Sequence, residues 1–408
     1  MGADCGSGPG CVFGEDRLRL RQRVSSRSGF KSTVLEAERE ACKVDCKPSD
    51  ILHFLHFSEN GVRFMPELQP LPLANYASRI FQAVDTPKIT ADLVGQSLVS
   101  ANLAGHDSHG VIRIVQYLRQ IDEGEIRPRA RPEIERETPV MVLYNGHRCF
   151  GQLGAKVAIE DGIGKARGNA VSVVALKHSG HVGRLGEWVG LAAEEGLIAL
   201  AYANGGRSGG LVAPFGGAER RMGTNPIAVA IPLKDRPAML LDFATSAVAE
   251  GKVRVAFNSG KEIPEGWALD KNGAPTKNPG DVYDGGMLLP AAGHKGFGLA
   301  LLTDYLGGIL TGAGGPGIPG SILGNGVLFI LLNISFFRPV DEFFADGEQI
   351  AGRIKGTKPA PGFDEVLMPG EPEARSAASR QKDGIPLDDT TWAEIVEVAE
   401  KLGVDPIV

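Results

Sequence analysis

This chain is short of the features that mark several protein classes. No stretch approaches the roughly 18 consecutive apolar residues a membrane span needs. The longest run, Gly326 to Phe337, is broken by Asn333 and Ser335 and reads as a buried strand. Charge is nearly balanced at -6, which excludes a general nucleic-acid footprint. Only five cysteines occur: Cys5, Cys11, Cys42, Cys46 and Cys149. Their spacings lack the paired short intervals of a zinc site, so free thiols and no metal are expected. Residues 1–30 hold no apolar core preceded by basic residues, and the expectation is a soluble cytoplasmic protein. A dinucleotide-binding glycine fingerprint is missing too. The nearest match, Gly162-Ile163-Gly164-Lys165-Ala166-Arg167-Gly168, is one residue too long. It also follows a helical pattern and precedes a strand, the reverse of the required order. Those glycines are expected to end a helix.

What remains is an ordinary globular composition, 43% hydrophobic and 23% charged, with 55 glycines. A chain of 408 residues can bury a large core in two or three domains. Residues 1–64 mix glycine, serine, basic and cysteine-bearing pieces without periodicity. Regular structure starts after the Pro66–Pro72 stretch. Helices are expected at Ala74–Val84, from a Thr90 cap through Leu103, and from near Val111 to a Gly124 C-cap. From Val140 the pattern alternates. Strands are expected at Val140–Tyr144, Ala170–Leu176, Leu197–Ala203, Ile227–Ile231 and Ala238–Asp242. Helices are expected at Ala155–Arg167, Leu185–Glu195 and Ala247–Asn258, giving an α/β layer architecture. A helix over Gly296–Leu310, a strand at Gly326–Asn333 and helices near Asp341–Ile354 and Asp388–Leu402 close the chain.

The most informative stretch is Gly105-His106-Asp107-Ser108-His109-Gly110-Val111-Ile112-Arg113. It sets an imidazole and a guanidinium four residues apart at a helix mouth. A guanidinium holds a carboxylate bidentately while a nearby imidazole moves a proton, a pairing suited to a small 2-hydroxy or 2-oxo acid. Taken alone, the same residues could cap a helix and face solvent. His178-Ser179-Gly180-His181-Val182-Gly183 follows a strand, where ligands bind in layered α/β proteins. Gly223-Thr224-Asn225-Pro226 beside Arg220-Arg221 offers backbone amides for a phosphate or ribose, or plain turn chemistry. Asp242 ends a strand before Ala244-Thr245-Ser246, fit to bind ribose hydroxyls or to cap a helix. Lys295 lies between glycines at another helix start.

Together these segments resemble the malate/L-lactate dehydrogenase family of the non-Rossmann type, whose members include ureidoglycolate and sulfolactate dehydrogenases, diketogulonate reductase and cyclic-imine carboxylate reductases. The stretches that carry the resemblance are AGHDSHGVIRIVQYL, GQLGAK, HSGHVG, APFGGAERRMGTNPIAVAIP, LLDFATSAVAEGKV, IPEGWALDKNGAPT, LLPAAGHKGFGLALLTDYLGGILTGAG and VLMPGEPE. They run in the family's order from Pro66 to the C-terminus. The resemblance implies an oxidoreductase using NAD or NADP, with an α/β fold: a mixed-sheet nicotinamide-binding domain inserted between helical N-terminal and C-terminal parts. The expected boundaries are 66–139 for the helical part, 140–290 for the cofactor domain and 291–408 for a C-terminal part packing on the first. A homodimer or higher homo-oligomer, a small carboxylate substrate, and no nucleic-acid or membrane partner are implied.

By the same resemblance His109 and His181 divide the acid/base role between them, and Arg113 holds the substrate carboxylate. Ser108 hydrogen-bonds the substrate or holds His109, and Lys295 joins the substrate site. Cofactor contacts fall to His181, Thr224, Asn225, Asp242, Ala244, Thr245, Ser246, Lys295, Gly296, Pro369, Gly370 and Glu371. Met65 lies 44 residues before His109, where the resemblance would start a chain, so residues 1–64 are expected to be a disordered or misassigned extension. Phe215 and the doubled Arg220-Arg221 depart from the family pattern. Three rival readings stand: a cyclic imino-acid reductase, a noncatalytic dinucleotide-binding paralogue, and a hydrolase built on Asp107, Ser108 and His109. The last is weak because three adjacent residues cannot all face one another.

Overall fold

A computed structural model describes residues 67–205, 210–319, 321 and 324–407. The expected extension 1–64, with its four cysteines, lies outside the described residues. The helices are α1 (Pro70–Ala83), α2 (Lys88–Leu103), α3 (Arg113–Asp122), α4 (Gly151–Arg167), α5 (Leu185–Glu194), α6 (Glu250–Asn258), α7 (Pro279–Tyr283), α8 (His294–Thr303), α9 (Val340–Lys355), α10 (Glu371–Asp383) and α11 (Asp389–Lys401).

The first three helices share one apolar core with the last. Leu73, Ile80 and Phe81 meet Val94, Leu98, Ile114 and Tyr117, and Ile395 and Ala399 of α11 close the cluster. Gly95 allows the tight crossing of α1 and α2, since a Cβ there would lie 2.5 Å from the Ala74 carbonyl oxygen. A two-stranded ribbon, β1 (Glu67–Leu68) with β12 (Ile385–Pro386), ties the two ends. The expected Thr90 cap is corrected. Pro87 holds the N-cap position of α2, and Thr90 is a buried first-turn residue. Proline fits a helix start because its missing N–H would be an orphan there.

The second core is a mixed seven-stranded sheet in the order β2-β3-β4-β11-β5-β6-β7. The strands are β2 (Glu133–Glu137), β3 (Met141–Asn145), β4 (Val171–Ser179), β5 (Leu197–Gly205), β6 (Ile227–Leu233), β7 (Arg236–Phe243) and β11 (Asn325–Asn333). Only β3 and β4 pair in parallel. Helices α4 and α5 cover one face with Ala158, Ile159, Trp188 and Val189 against Val174, Ala201 and Phe329. Small strand residues and helix glycines let these layers close. A Cβ on Gly162 would stand 3.0 Å from both Val174 and Leu331. Gly162 therefore lies inside α4 as a packing position, and Gly164 lies inside it on the exposed face. Gly168 alone caps it, which corrects the expectation that the group ends the helix.

Two further corrections follow. Strand β11 sits in the middle of this sheet, paired on both sides, so the expected boundary at residue 290 does not separate the sheet from the last third of the chain. The helix expected over Gly296–Leu310 begins at His294 and widens to π geometry over Asp304–Ile309. The widening falls where Gly307 and Gly308 press on the backbone of Tyr202 and Gly314. Short strands β8 (Ala268–Leu269), β9 (Pro275–Thr276) and β10 (Met287–Leu288) form a separate sheet beside α6 and α7.

Candidate active site

The turn before α3 is held from below. Asn102 is buried on α2; its Oδ1 accepts from the Val111 amide at 2.9 Å and its Nδ2 donates to Asp107 at 2.7 Å. Arg380 of α10 reaches the other side of Asp107, at 2.6 and 3.1 Å. The Asp107 carboxylate is thus committed to Asn102 and Arg380, while Ser108 Oγ lies 3.0 Å from His109 Nδ1. Ser108 and His109 do touch, but Asp107 turns elsewhere, and no hydrolytic triad forms. Gly251 brings α6 down onto this turn, since a Cβ there would fall 2.3 Å from Ser108 Cβ. Arg113 Nε donates to the Ser108 carbonyl at 2.6 Å, which pins the guanidinium beside His109.

His181 arrives from the other core. The loop after β4 presses on the N-terminus of α4, where a Cβ on Gly151 would lie 2.2 Å from the His181 carbonyl oxygen. Only glycine permits that approach. The ring stacks on His109 with centroids 5.4 Å apart and planes 28° from parallel. Its Nδ1 meets the Tyr117 hydroxyl at 2.8 Å and the Gly183 amide at 3.3 Å, and Gln152 Nε2 donates to the same hydroxyl at 3.0 Å.

Both imidazoles are half-buried and ringed by protein. Desolvation, then the Arg113 charge, holds His109 down to about 3 and His181 well below the usual imidazole range. Both rings are therefore neutral at physiological pH in the free protein. Burial pushes the Tyr117 phenol up to about 12, so it stays a hydroxyl.

A cleft of about 340 Å³ is lined by Leu240–Phe243, Leu367–Gly370, Pro372 and Glu373. Asp242 Oδ2 accepts from the Gly186 amide at the start of α5, at 2.6 Å, and burial raises its carboxyl. Glu373 approaches His106 Nε2 at 3.5 Å, which joins the cleft to the catalytic turn. A Cβ on Gly186 would meet Asp242 Oδ2 at 2.9 Å and Arg184 Nη1 at 3.3 Å. Arg184 Nε and Nη1 are buried without hydrogen-bond partners. Two buried guanidinium nitrogens without hydrogen bonds, close to the Asp242 carboxylate at a helix start, fit an anionic ligand such as a dinucleotide.

The remaining expected contacts divide. Asp242, Pro369 and Gly370 share this cleft, and Leu240 N bonds the Pro369 carbonyl at 3.1 Å. Glu371 is spent on Lys355 and on the Met368 amide. Asn225 is fully buried: its Nδ2 donates to the Ala300 carbonyl and its Oδ1 accepts from the Gly205 amide. Thr245 Oγ1 donates to the Thr224 and Asn225 carbonyls, and Ser246 Oγ to that of Val248. These side chains brace the backbone, and Ala244 has no polar side chain to offer. Gly296 is buried against Ala291, and Lys295 stands exposed at the start of α8. Arg220 donates to the carbonyls of Gly286 and Val282, and exposed Arg221 pairs with Glu219.

Sequence reasoning missed Asn102, Tyr117, Gln152 and Arg184. Tyr117 was findable: it lies four residues beyond Arg113, on the same face of α3. Gln152 and Arg184 touch the site only through tertiary packing.

Arg113 is pinned beside two neutral imidazoles, a set of groups suited to holding a carboxylate and moving a proton. A profile of the malate/L-lactate dehydrogenase family matches residues 69–396. The chain is 37% identical over 360 residues to the malate dehydrogenase of Pyrococcus abyssi, covering 86% of this chain and 97% of that one. Its fold matches the sulfolactate dehydrogenase of Methanocaldococcus jannaschii with a TM-score of 0.75 at 34% identity, over 83% and 98% of the two chains. It matches the Δ1-piperideine-2-carboxylate reductase of Pseudomonas syringae pvar. tomato with a TM-score of 0.73 at 30% identity, over 82% and 100%. The chain belongs to the malate/L-lactate dehydrogenase family. It is an oxidoreductase of the CH–OH group, and its cofactor is a nicotinamide dinucleotide. No helix among the described residues is long and apolar enough to cross a membrane.

Proposed function

We propose that this chain interconverts a small 2-hydroxy acid of the malate or sulfolactate kind with its 2-oxo acid. The observation that carries the reading is the convergence of Arg113, His109 and His181, three groups from two separate cores. Arg113 grips the C1 carboxylate and fixes C2 near the rings. His109 takes the C2 hydroxyl proton on Nε2 during oxidation and returns it during reduction, with Ser108 at its other nitrogen. The nicotinamide cofactor, when bound, accepts or supplies the hydride at C2. Asp242 would meet a ribose, and Arg184 would meet a phosphate common to NAD and NADP. The exposed apolar row Leu299, Leu301, Leu302, Tyr305, Ile309 and Leu310 supports a homodimer.

The test follows NAD(P)H absorbance with both cofactors against malate, lactate, sulfolactate and ureidoglycolate, their oxo acids, and cyclic imino acids. Turnover of a 2-hydroxy acid, abolished in Arg113→Ala, supports the reading. The likeness to the piperideine reductase favours a second one. Turnover confined to cyclic imines would establish that reading and overturn the first. Tight dinucleotide binding without turnover of any panel member would point to a noncatalytic paralogue.

A further inference from the structure

The two imidazoles differ in what faces their Nδ1 atoms. His109 Nδ1 faces the Ser108 hydroxyl, which either donates or accepts. That ring can therefore carry its proton on either nitrogen and switch during turnover. His181 Nδ1 faces the Gly183 backbone amide at 3.3 Å, a group that only donates. An amide hydrogen pointed at Nδ1 excludes a second hydrogen on that nitrogen. The Tyr117 hydroxyl accepts from Gln152 at 3.0 Å and lies 2.8 Å from Nδ1, free to turn its own hydrogen there. An amide that only donates, beside a hydroxyl able to donate, leaves the proton of a neutral ring on Nε2.

Resting on the dehydrogenase reading, we propose that Gly183 and Tyr117 lock His181 in the neutral Nε2–H tautomer. His181 is then a hydrogen-bond donor to the substrate's C2 oxygen, and His109 alone moves the proton. A neutral ring with Nε2 protonated has no lone pair there to accept the hydroxyl proton. Neither would it give that proton up, because an imidazolate would result. It can polarise the C2–O bond and stabilise negative charge on oxygen as hydride arrives at C2. The C2 hydroxyl proton goes to His109 Nε2, the C2–O bond becomes a carbonyl, and the imidazolium so formed donates from Nδ1 to Ser108. Burial of both rings beside Arg113 and the raised Tyr117 phenol keep this arrangement across the neutral range. Tyr117 and Gln152 are positioning residues, since they act through His181.

The deciding experiment is nitrogen NMR of full-length protein labelled with 15N-histidine, free of cofactor and substrate, between pH 6 and pH 9. The chain has eight histidines, so His181 is assigned by the signals missing in His181→Gln. The expected result is a non-titrating ring with a protonated Nε2 and a bare Nδ1. An Nδ1–H tautomer, or a ring that titrates across this range, would overturn the proposal. The readout needs no turnover, so it fails or succeeds independently of the dehydrogenase reading. Kinetics give the second arm. Removal of one oxyanion donor typically costs 10²–10³ in rate. His181→Leu is expected to lose about that much, and His181→Gln, which keeps an amide donor, clearly less. The loss of kcat in His109→Gln, which leaves no group to take the proton, is expected to exceed that in His181→Gln. The reverse pattern would assign the proton to His181 and sink the proposal.

Discussion

The two histidine segments are built by opposite means. The His109 turn hangs on side chains: Asn102, Asp107 and Arg380 form a polar brace beneath it. The His181 loop is seated on backbone, pressed against the start of α4 across Gly151 and closed by the Gly183 amide. A side-chain brace leaves the His109 ring beside a hydroxyl that adapts to either protonation state. A backbone seat leaves His181 beside an amide that cannot. The lesson is that the chemistry open to a buried imidazole is set by whatever faces its other nitrogen.

Replacing His109 by Asn tests this contrast most severely. General acid–base catalysis contributes about 10²–10⁴ in rate, and a loss of that order in kcat is expected, with dinucleotide affinity nearly unchanged. Equal losses in His109→Asn and His181→Asn would erase the distinction between the segments. Next comes Arg113→Gln. A hydrogen bond to a charged group is worth about 1.5–3 kcal/mol, so kcat/KM for the acid is expected to fall roughly 10- to 150-fold, chiefly through KM.

Gly151→Ala and Gly110→Ala compare the two seats directly. A Cβ on Gly151 strikes the backbone of His181, whereas one on Gly110 strikes the side chain of Asn102. Overpacking costs about 1–3 kcal/mol. Gly151→Ala is expected at the upper end and Gly110→Ala lower, because a side chain can move aside. Urea midpoints measure both, and the opposite ranking would contradict the account of the seats. A smaller effect is expected from Arg184→Met: about tenfold weaker NADH or NADPH binding, near 1.4 kcal/mol, read by cofactor fluorescence titration. Unchanged binding would remove Arg184 from the cofactor cleft.

The mildest signature is in pH. His109 is held down to about 3 in the folded chain, below its ordinary value. Between those values the unfolded chain binds the proton and the folded chain does not. Stability is therefore full above the ordinary imidazole range and declines as pH falls towards the folded value. Urea midpoints at pH 7.5 and pH 4.5 are expected to diverge less in His109→Gln than in the wild type. The same depression keeps the base unprotonated, so kcat/KM for oxidation is expected to show no acid limb near pH 6–7.

Much of this was legible in the chain itself. Each alternating segment after Val140 became a strand or helix within a few residues of its apolar pattern, because burial on one face enforces that period. His109 and Arg113 stood out because four residues on a helix bring two side chains to one side. Strand β2 did not stand out: all five residues of Glu133-Ile134-Glu135-Arg136-Glu137 are exposed, and it exists as a charged edge paired with β3. Asn225 and Thr245 looked like ligand contacts, yet their polar atoms bind buried backbone, which has no sequence signal.

The sequence by itself determined the periodic elements, the absence of a Rossmann loop and the residue types fit to hold an acid and shuttle a proton. Those follow from local spacing and composition. Only the tertiary structure decided that His181 and His109 stack, that Arg184 Nε and Nη1 lie buried without hydrogen bonds, and that β11 runs through the middle of the sheet. It also decided which nitrogen of His181 is left to meet a ligand. Such facts depend on partners far apart in the chain, such as Val182 and Asn325 at a separation of 143 residues, chosen by packing between layers, and no local pattern carries them.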